Sequence, residues 1–159
     1  MDACASTAPE FRWTPAANLH LTIRFLGHVA PSVAQGIAAR VEAAATPGFD
    51  LGLGDLGAFR RGRLARVVWL GLSSGEAEAA ALASVVEAES VRAGLEPENR
   101  RFSAHLTLAR ARPRDGAELP ALSPPPRLPA WRTTELILYR SRLGRAGSVY
   151  EPVRTIPLR

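Results

Sequence analysis

Two copies of one tripeptide constrain this chain more than anything else in it. His20-Leu21-Thr22 lies in NLHLTIRFLG (18 to 27), and His105-Leu106-Thr107 lies in RFSAHLTLA (101 to 109). Apolar residues alternate in both stretches, and alternation predicts β-strand because successive side chains leave a strand on opposite faces. His20, Thr22 and Arg24 then share one face, with Leu21, Ile23 and Phe25 behind them. His105 and Thr107 likewise share a face, with Leu106 and Leu108 on the other. A chain built this way buries its leucines and presents an imidazole and a hydroxyl together, twice.

The segments around these strands complete an α+β pattern. Val33, Ile37 and Val41 recur every four residues between Ser32 and Ala45, predicting an amphipathic helix that Thr46-Pro47-Gly48 ends. Alternating Leu among Gly and Asp from Phe49 to Phe59 predicts a strand with a turn. Arg60 to Arg66 (RRGRLAR) is expected to be a basic loop leading into a buried strand, Val67 to Leu72. Ser73 and Glu76 have the spacing of a capping box, so a helix is expected from Gly75 to about Arg92, burying Ala79, Leu82, Ala83, Val86 and Ala93. Gly94 is its natural stop, and the six Glu between Glu76 and Glu98 are expected to form a solvated face. The Pro-rich stretch 113 to 130 predicts a surface loop, and Thr133 to Arg142 with Ser148 to Pro157 predicts a hairpin around Gly144 and Gly147. Strand, helix, strand occurs twice before that hairpin, a hint of internal doubling.

Composition narrows the function classes. At 159 residues the chain suits one domain or two small lobes. Its single cysteine, Cys4, lies in a segment expected to be unstructured and excludes an internal disulfide or a Cys-rich zinc site. No apolar run is long enough to span a bilayer, and the first residues lack the pattern of a signal peptide, so a soluble cytoplasmic protein is expected. All 20 basic residues are Arg, which excludes a P-loop, whose phosphate contact requires Lys. With 28 Ala, this owes most to a GC-rich genome; the alternative is a surface of planar forks suited to phosphate.

A lone histidine in a strand is more often a hydrogen-bonded structural residue than a catalyst. Two in the same local pattern, each with a hydroxyl two residues on, are harder to assign that way. Each motif offers one good metal ligand, and His28 follows a turn as a surface residue, so no metal is expected. Acid/base work fits better, since an imidazole titrates near pH ~6.5 and can both take and give a proton close to neutrality. One neutral His activates water, one protonated His serves a leaving oxygen, and two Thr hydroxyls hold an anionic oxygen. That combination suits metal-free cleavage of a strained phosphodiester such as a 2′,3′-cyclic phosphate.

With NLHLTIRFLG, RVVWLGL (66 to 72), FSAHLTLAR (102 to 110) and ELILYRSRLGRAGSVYEPV (135 to 153), the chain resembles the 2H phosphoesterases. Within them it is similar to the RNA 2′,3′-cyclic phosphodiesterases, also called 2′-5′ RNA ligases. The resemblance implies a bilobal LigT-like α+β fold over residues 1 to 159, each lobe with a mainly antiparallel sheet and outer helices. It implies that the two HxT strands meet across a cleft. It also implies hydrolysis of RNA terminal cyclic phosphates to 2′-phosphomonoesters without a cofactor, with His20 as proton donor and His105 as general base. Thr22, Thr107, Arg110 and, from its shared face, Arg24 become phosphate ligands. Strict alternation sets Arg110 on the Leu106 face, so a bulge or the strand end must bring it round; a solvated strand-end Arg is the alternative. Family members usually begin with a strand and helix that the seventeen residues before Asn18 do not resemble, so that edge is expected to be missing.

RNA ends or cyclic nucleotides are the expected partners, with the protein acting as a monomer. Arg60, Arg61 and Arg63 are candidates for an RNA backbone or for a solvated loop. Phe59 and Tyr150 are candidates for stacking a terminal base, against a core role. Reversible 2′-5′ ligation and a non-catalytic RNA-binding module are the alternatives to hydrolysis.

Overall fold

The computed structural model describes residues 2–144 and 147–159. In chain order it contains α1 (Asp2–Thr7), β1 (Phe11–Trp13), a 3-10 turn (Ala16–Asn18), α2 (Pro31–Ala43) and β2 (Phe49–Arg61). These are followed by β3 (Leu64–Ser74), α3 (Glu76–Arg92), β4 (Leu106–Ala111), β5 (Trp131–Thr133), β6 (Glu135–Gly144) and β7 (Gly147–Pro157). The chain divides into two compact units, Met1–Thr22 with Gly52–Ser74 and Ala104–Ala130, and Ile23–Leu51 with Gly75–Ser103 and Trp131–Arg159. The segment around Cys4, expected to be unstructured, is α1.

The first unit is an antiparallel sheet in the order β1-β4-β3-β2. Its core side carries Phe11, Ala65, Val68 and Ala109, closed over by Ala8 and Ala117. Ala65 and Ala109 are fully enclosed, so methyl groups fill positions where a longer side chain has no room. The Pro-rich stretch is an ordered cover at this point. Ala117 and Ala65 exchange backbone hydrogen bonds of 2.9 and 3.0 Å, and Leu119 and Leu122 pack on the same core.

Two expectations fail here for one reason, the length of β2 and β3. The ladder runs to Arg61 opposite Leu64, so the basic loop shrinks to a two-residue turn, Gly62-Arg63. The turn expected between Phe49 and Phe59 is absent as well, because β2 absorbs its glycines as register shifts near Gly52, Leu53 and Leu56.

The second unit holds both longer helices, and the short α1 belongs to the first. Ile37 and Val41 of α2 are buried, as the spacing predicts, with Ala38 beside them, while Val33 is half-buried. So are Ala79, Leu82, Ala83 and Val86 of α3. Phe49, Leu51, Ile156 and Leu158 add to the buried apolar residues of this unit. β5 pairs with the first three residues of β2, and β6 pairs with β7 from Glu135 opposite Pro157 to Gly144 opposite Gly147. The tip of the expected hairpin, residues 145 and 146, lies outside the described residues. No helix among the described residues is long and apolar enough to cross a membrane.

The polar side of α3 also departs from expectation. Glu87 is ion-paired with Arg24, and Glu89, only 8% exposed, accepts from Arg40 at 3.0 Å and also from Arg92. Ser90 rather than Ala93 fills the last buried position, its hydroxyl donating to the Val86 carbonyl at 2.7 Å.

The capping box at the start of α3 does not form. Ser73 and Ser74 remain in the β3 ladder, and the Ser73 hydroxyl donates to the Leu53 carbonyl at 3.0 Å. The residue before the helix is Gly75, with φ +83° and no side-chain cap; Glu76 and Glu78 face the positive end of the helix dipole instead. A Cβ on Gly75 meets the Asp50 carbonyl oxygen at 2.5 Å. Gly75→Ala should therefore cost about 1–2 kcal/mol from the left-handed backbone alone. Ser73→Ala, losing one exposed hydrogen bond, should cost under about 1 kcal/mol. Urea unfolding of the two variants checks the order, which a Ser73 cap would reverse.

Candidate active site

β4 is the axis of the site because it lies between two partners. On one side Leu106 and Thr107 pair with Leu70 and Trp69 of β3. On the other, Ala109, Arg110 and Ala111 pair with Trp13, Arg12 and Phe11 of β1. The edge of β4 left open beyond β1 is taken by the first HxT segment, through an antiparallel bridge between Leu21 and Leu106. Neither motif is the full strand expected. Residues 18 to 27 form only this bridge, and β4 begins at Leu106 and not at Arg101. The chain leaves the first unit after Thr22, so no partner strand continues the ladder there.

The bridge sets the geometry. With Leu21 opposite Leu106, antiparallel register sets His20 beside Thr107 and Thr22 beside His105. Each imidazole neighbours the other motif's hydroxyl, and all four side chains leave the face opposite the two leucines. The motifs expected to meet across a cleft are thus cross-strand neighbours within one unit. All four residues are half-buried, neither sealed from solvent nor fully in it.

The two rings are held differently. His20 Nδ1 lies 2.8 Å from the Asn18 carbonyl oxygen. A carbonyl only accepts, so Nδ1 carries the hydrogen and Nε2 is the nitrogen available to exchange a proton. The adjacent 3-10 turn, Ala16–Asn18, aims that carbonyl. His105 stands edge-on to Phe59, with ring centres 4.9 Å apart, and 6.2 Å from Trp69. Phe59 and Trp69 are themselves 5.3 Å apart, so three rings brace one another.

Arg110 reaches this face through a bulge. Trp69 pairs with Thr107 but Val68 pairs with Ala109, leaving Leu108 as an extra residue in β4. The parity of the strand changes there. Ala109 and Ala111 turn to the core side, and Arg110, opposite Val67, shares the face of Thr107. The same register puts Arg12 of β1 directly opposite Arg110.

Other expected residues lie elsewhere. Arg24 is in the second unit, its side chain 8% exposed, paired with Glu87 and donating to the Glu96 carbonyl at 2.8 Å. Both of its terminal nitrogens are engaged, which removes it from the phosphate ligands. Tyr150, also in the second unit, stands edge-on to Tyr139 at 6.1 Å. Arg60 pairs with Ala65, on the core side of the sheet, and lines a recess with Leu56, Val68, Leu119 and Leu122. Arg61 is ion-paired with Asp115 at 2.9 Å, and Arg63 sits in the exposed β2–β3 turn, its carbonyl accepting from Arg60. Phe59 alone of the two stacking candidates is beside a catalytic candidate, and it is 40% exposed.

Sequence reasoning missed two residues on this face. Arg12 belongs to a three-residue strand, too short for periodicity to reveal, although Phe11 and Trp13 flank it as the inward pair. Trp69 was expected to be buried strand core, and only the glycine opposite it, Gly57, hints that its ring lies flat across a neighbouring strand. Among the described residues no three His, Cys, Asp or Glu side chains converge as a metal site.

Comparison with known proteins identifies the family. The chain matches the LigT-like phosphoesterase family over residues 4–69 and 70–150. It is 34% identical over 139 residues to the RNA 2′,3′-cyclic phosphodiesterase of Escherichia coli (strain K12), covering 87% of this chain and 75% of that protein. It is 36% identical over 121 residues to the protein of the same name from Aeropyrum pernix, covering 76% and 68%. Among solved structures, Escherichia coli LigT complexed with 3′-AMP superposes with a TM-score of 0.81 at 32% identity, over 95% of this chain and 83% of that one. With both HxT motifs paired on one sheet and the match running nearly end to end, this chain belongs to the LigT-like phosphoesterase family.

Proposed function

We propose that this protein hydrolyses the 2′,3′-cyclic phosphate at RNA ends, without a metal ion, to a 2′-phosphomonoester. The observation that carries the proposal is the Leu21–Leu106 bridge, which makes the two HxT motifs cross-strand neighbours with crossed His–Thr pairs. The names of the Escherichia coli and Aeropyrum pernix relatives, and the 3′-AMP bound by Escherichia coli LigT, support the substrate class.

Neutral His105 takes a proton from water as the oxygen attacks phosphorus, and a P–O bond forms. The bond from phosphorus to O3′ breaks as His20, protonated, passes its Nε2 proton to the leaving oxygen. The proton gained by His105 and the one lost by His20 are exchanged through solvent, which resets the pair. Thr22 and Thr107 donate to the non-bridging oxygens, and the Arg110 guanidinium offsets the charge that develops on them. Asn18 holds His20 in one tautomer through both protonation states, since its carbonyl accepts from Nδ1 either way.

The test is hydrolysis of a 2′,3′-cyclic nucleotide in excess EDTA, with the product resolved as 2′- or 3′-phosphate. Full activity and a 2′-phosphate are expected. Loss of turnover in EDTA overturns the metal-free mechanism, and a 3′-phosphate reverses the leaving group.

A further inference from the structure

Arg12 and Arg110 are opposite one another in adjacent antiparallel strands, on the face that carries both HxT motifs. Like charges directly opposite in a sheet are destabilising, by roughly 0.2–1 kcal/mol on the scale of cross-strand pairs. Among the described residues eight arginines, Arg24, Arg40, Arg61, Arg92, Arg132, Arg140, Arg142 and Arg154, have a carboxylate partner, and the rest do not figure in those ion pairs. Arg12 and Arg110 have none among those ion pairs, and both are exposed. Arg12 cannot turn away from this face. Its neighbours Phe11, 2% exposed, and Trp13 fill the core side, and a one-residue slip would bring both aromatics into solvent.

We propose that Arg12 binds the phosphodiester one nucleotide upstream of the cyclic end, so that the protein selects RNA termini over cyclic mononucleotides. The inference rests on the hydrolytic reading above and extends it to the substrate's second phosphate. Arg110 lies between the two stations. It is three residues from Thr107 along β4 and directly across from Arg12, and its fork can serve both anions. Two ladder positions advance by about 7 Å, so the Arg12–Arg110 row lies one such step from the His20–Thr107 row, a spacing that suits the next phosphate of a nucleotide chain running along this face. Phosphate contacts position a nucleic acid without reading its bases, so the preference is for chain length and not for sequence.

Two measurements test this, with Arg12→Ala, Arg12→Gln and, as a control, Arg132→Ala, an exposed arginine of the second unit. The first compares kcat/KM on adenosine 2′,3′-cyclic phosphate with that on a trinucleotide ending in the same group. Both Arg12 variants should lose about tenfold on the trinucleotide and less than about twofold on the mononucleotide, while Arg132→Ala loses on neither. The second follows anisotropy of a labelled trinucleotide ending in a 2′-phosphate as salt is raised. Each Arg12 variant should bind more weakly, with a log–log slope shallower by about 0.7. Equal losses on both substrates, or no loss on either, overturn the proposal. If the wild-type protein hydrolyses neither substrate, the hydrolytic reading fails. The salt slope still decides whether Arg12 holds a phosphate.

Discussion

His20→Ala and His105→Ala should each lower kcat on a 2′,3′-cyclic phosphate by about 10²–10⁴-fold, the range for removing a positioned acid or base. KM should change little, because Thr22, Thr107 and Arg110 remain to hold the phosphate. The double variant should be hardly worse than the poorer single one, since two groups acting on one step do not contribute independently. Wild-type activity should follow a bell in pH, because one ring must be protonated while the other is neutral. The sign of each limb separates the roles. Loss of the general base His105 removes the acid-side fall, and loss of the general acid His20 removes the alkaline-side fall, so each alanine variant keeps one limb. A flat wild-type profile between about pH 5 and 8 would argue against two histidines in these roles. Interchanged limbs in the two variants would keep the pair and reverse the assignment.

Much of this site was legible because the chemistry sits on alternating residues. The HxT pairs, their leucine backing and their shared face followed from a period of two, which one strand is enough to establish. What alternation could not supply was register. The crossing of His20 with Thr107 depends on which residue of one strand bridges which of the other, and no local pattern encodes Leu21 opposite Leu106. The bulge at Leu108 is intermediate: Arg110 demanded one, but its place emerged only from the pairing with Val68 and Trp69. Arg24 shows the opposite failure. It shares the parity of His20 and Thr22, yet the chain passes into the other unit after Thr22, and Glu87 and the Glu96 carbonyl engage it there. Parity carries over only while a strand lasts. The capping box failed for a similar reason, because Ser73 had the correct spacing but was still part of a ladder that ran further than propensity suggested.

Gly57→Ala tests whether the ring cluster positions His105, and its effect should be second only to loss of a histidine. Gly57 of β2 is opposite Trp69 of β3, and the indole lies across the space a side chain would use. A Cβ there comes within 2.2 Å of Cη2, 2.3 Å of Cζ2 and 2.6 Å of Cζ3, so the ring must move. Its Nε1 is buried with no hydrogen-bond partner among the described residues, and its ring sits over the glycine recess and against Phe59 and His105. Overfilling a packed site costs about 1–3 kcal/mol, so melting should fall measurably while the fold survives. The larger effect is on turnover. An indole driven off Gly57 presses on Phe59 and His105, and about 1 Å of misplacement in a catalytic group is worth roughly 10²-fold in rate. The loss should appear in kcat with KM nearly unchanged, since no phosphate ligand is displaced. Trp69→Phe in the Gly57→Ala background, with a smaller ring over the new methyl, should recover most of the activity. Wild-type kcat in Gly57→Ala, or no rescue by the smaller ring, would show that His105 is oriented by something other than the indole and that Trp69 serves packing alone.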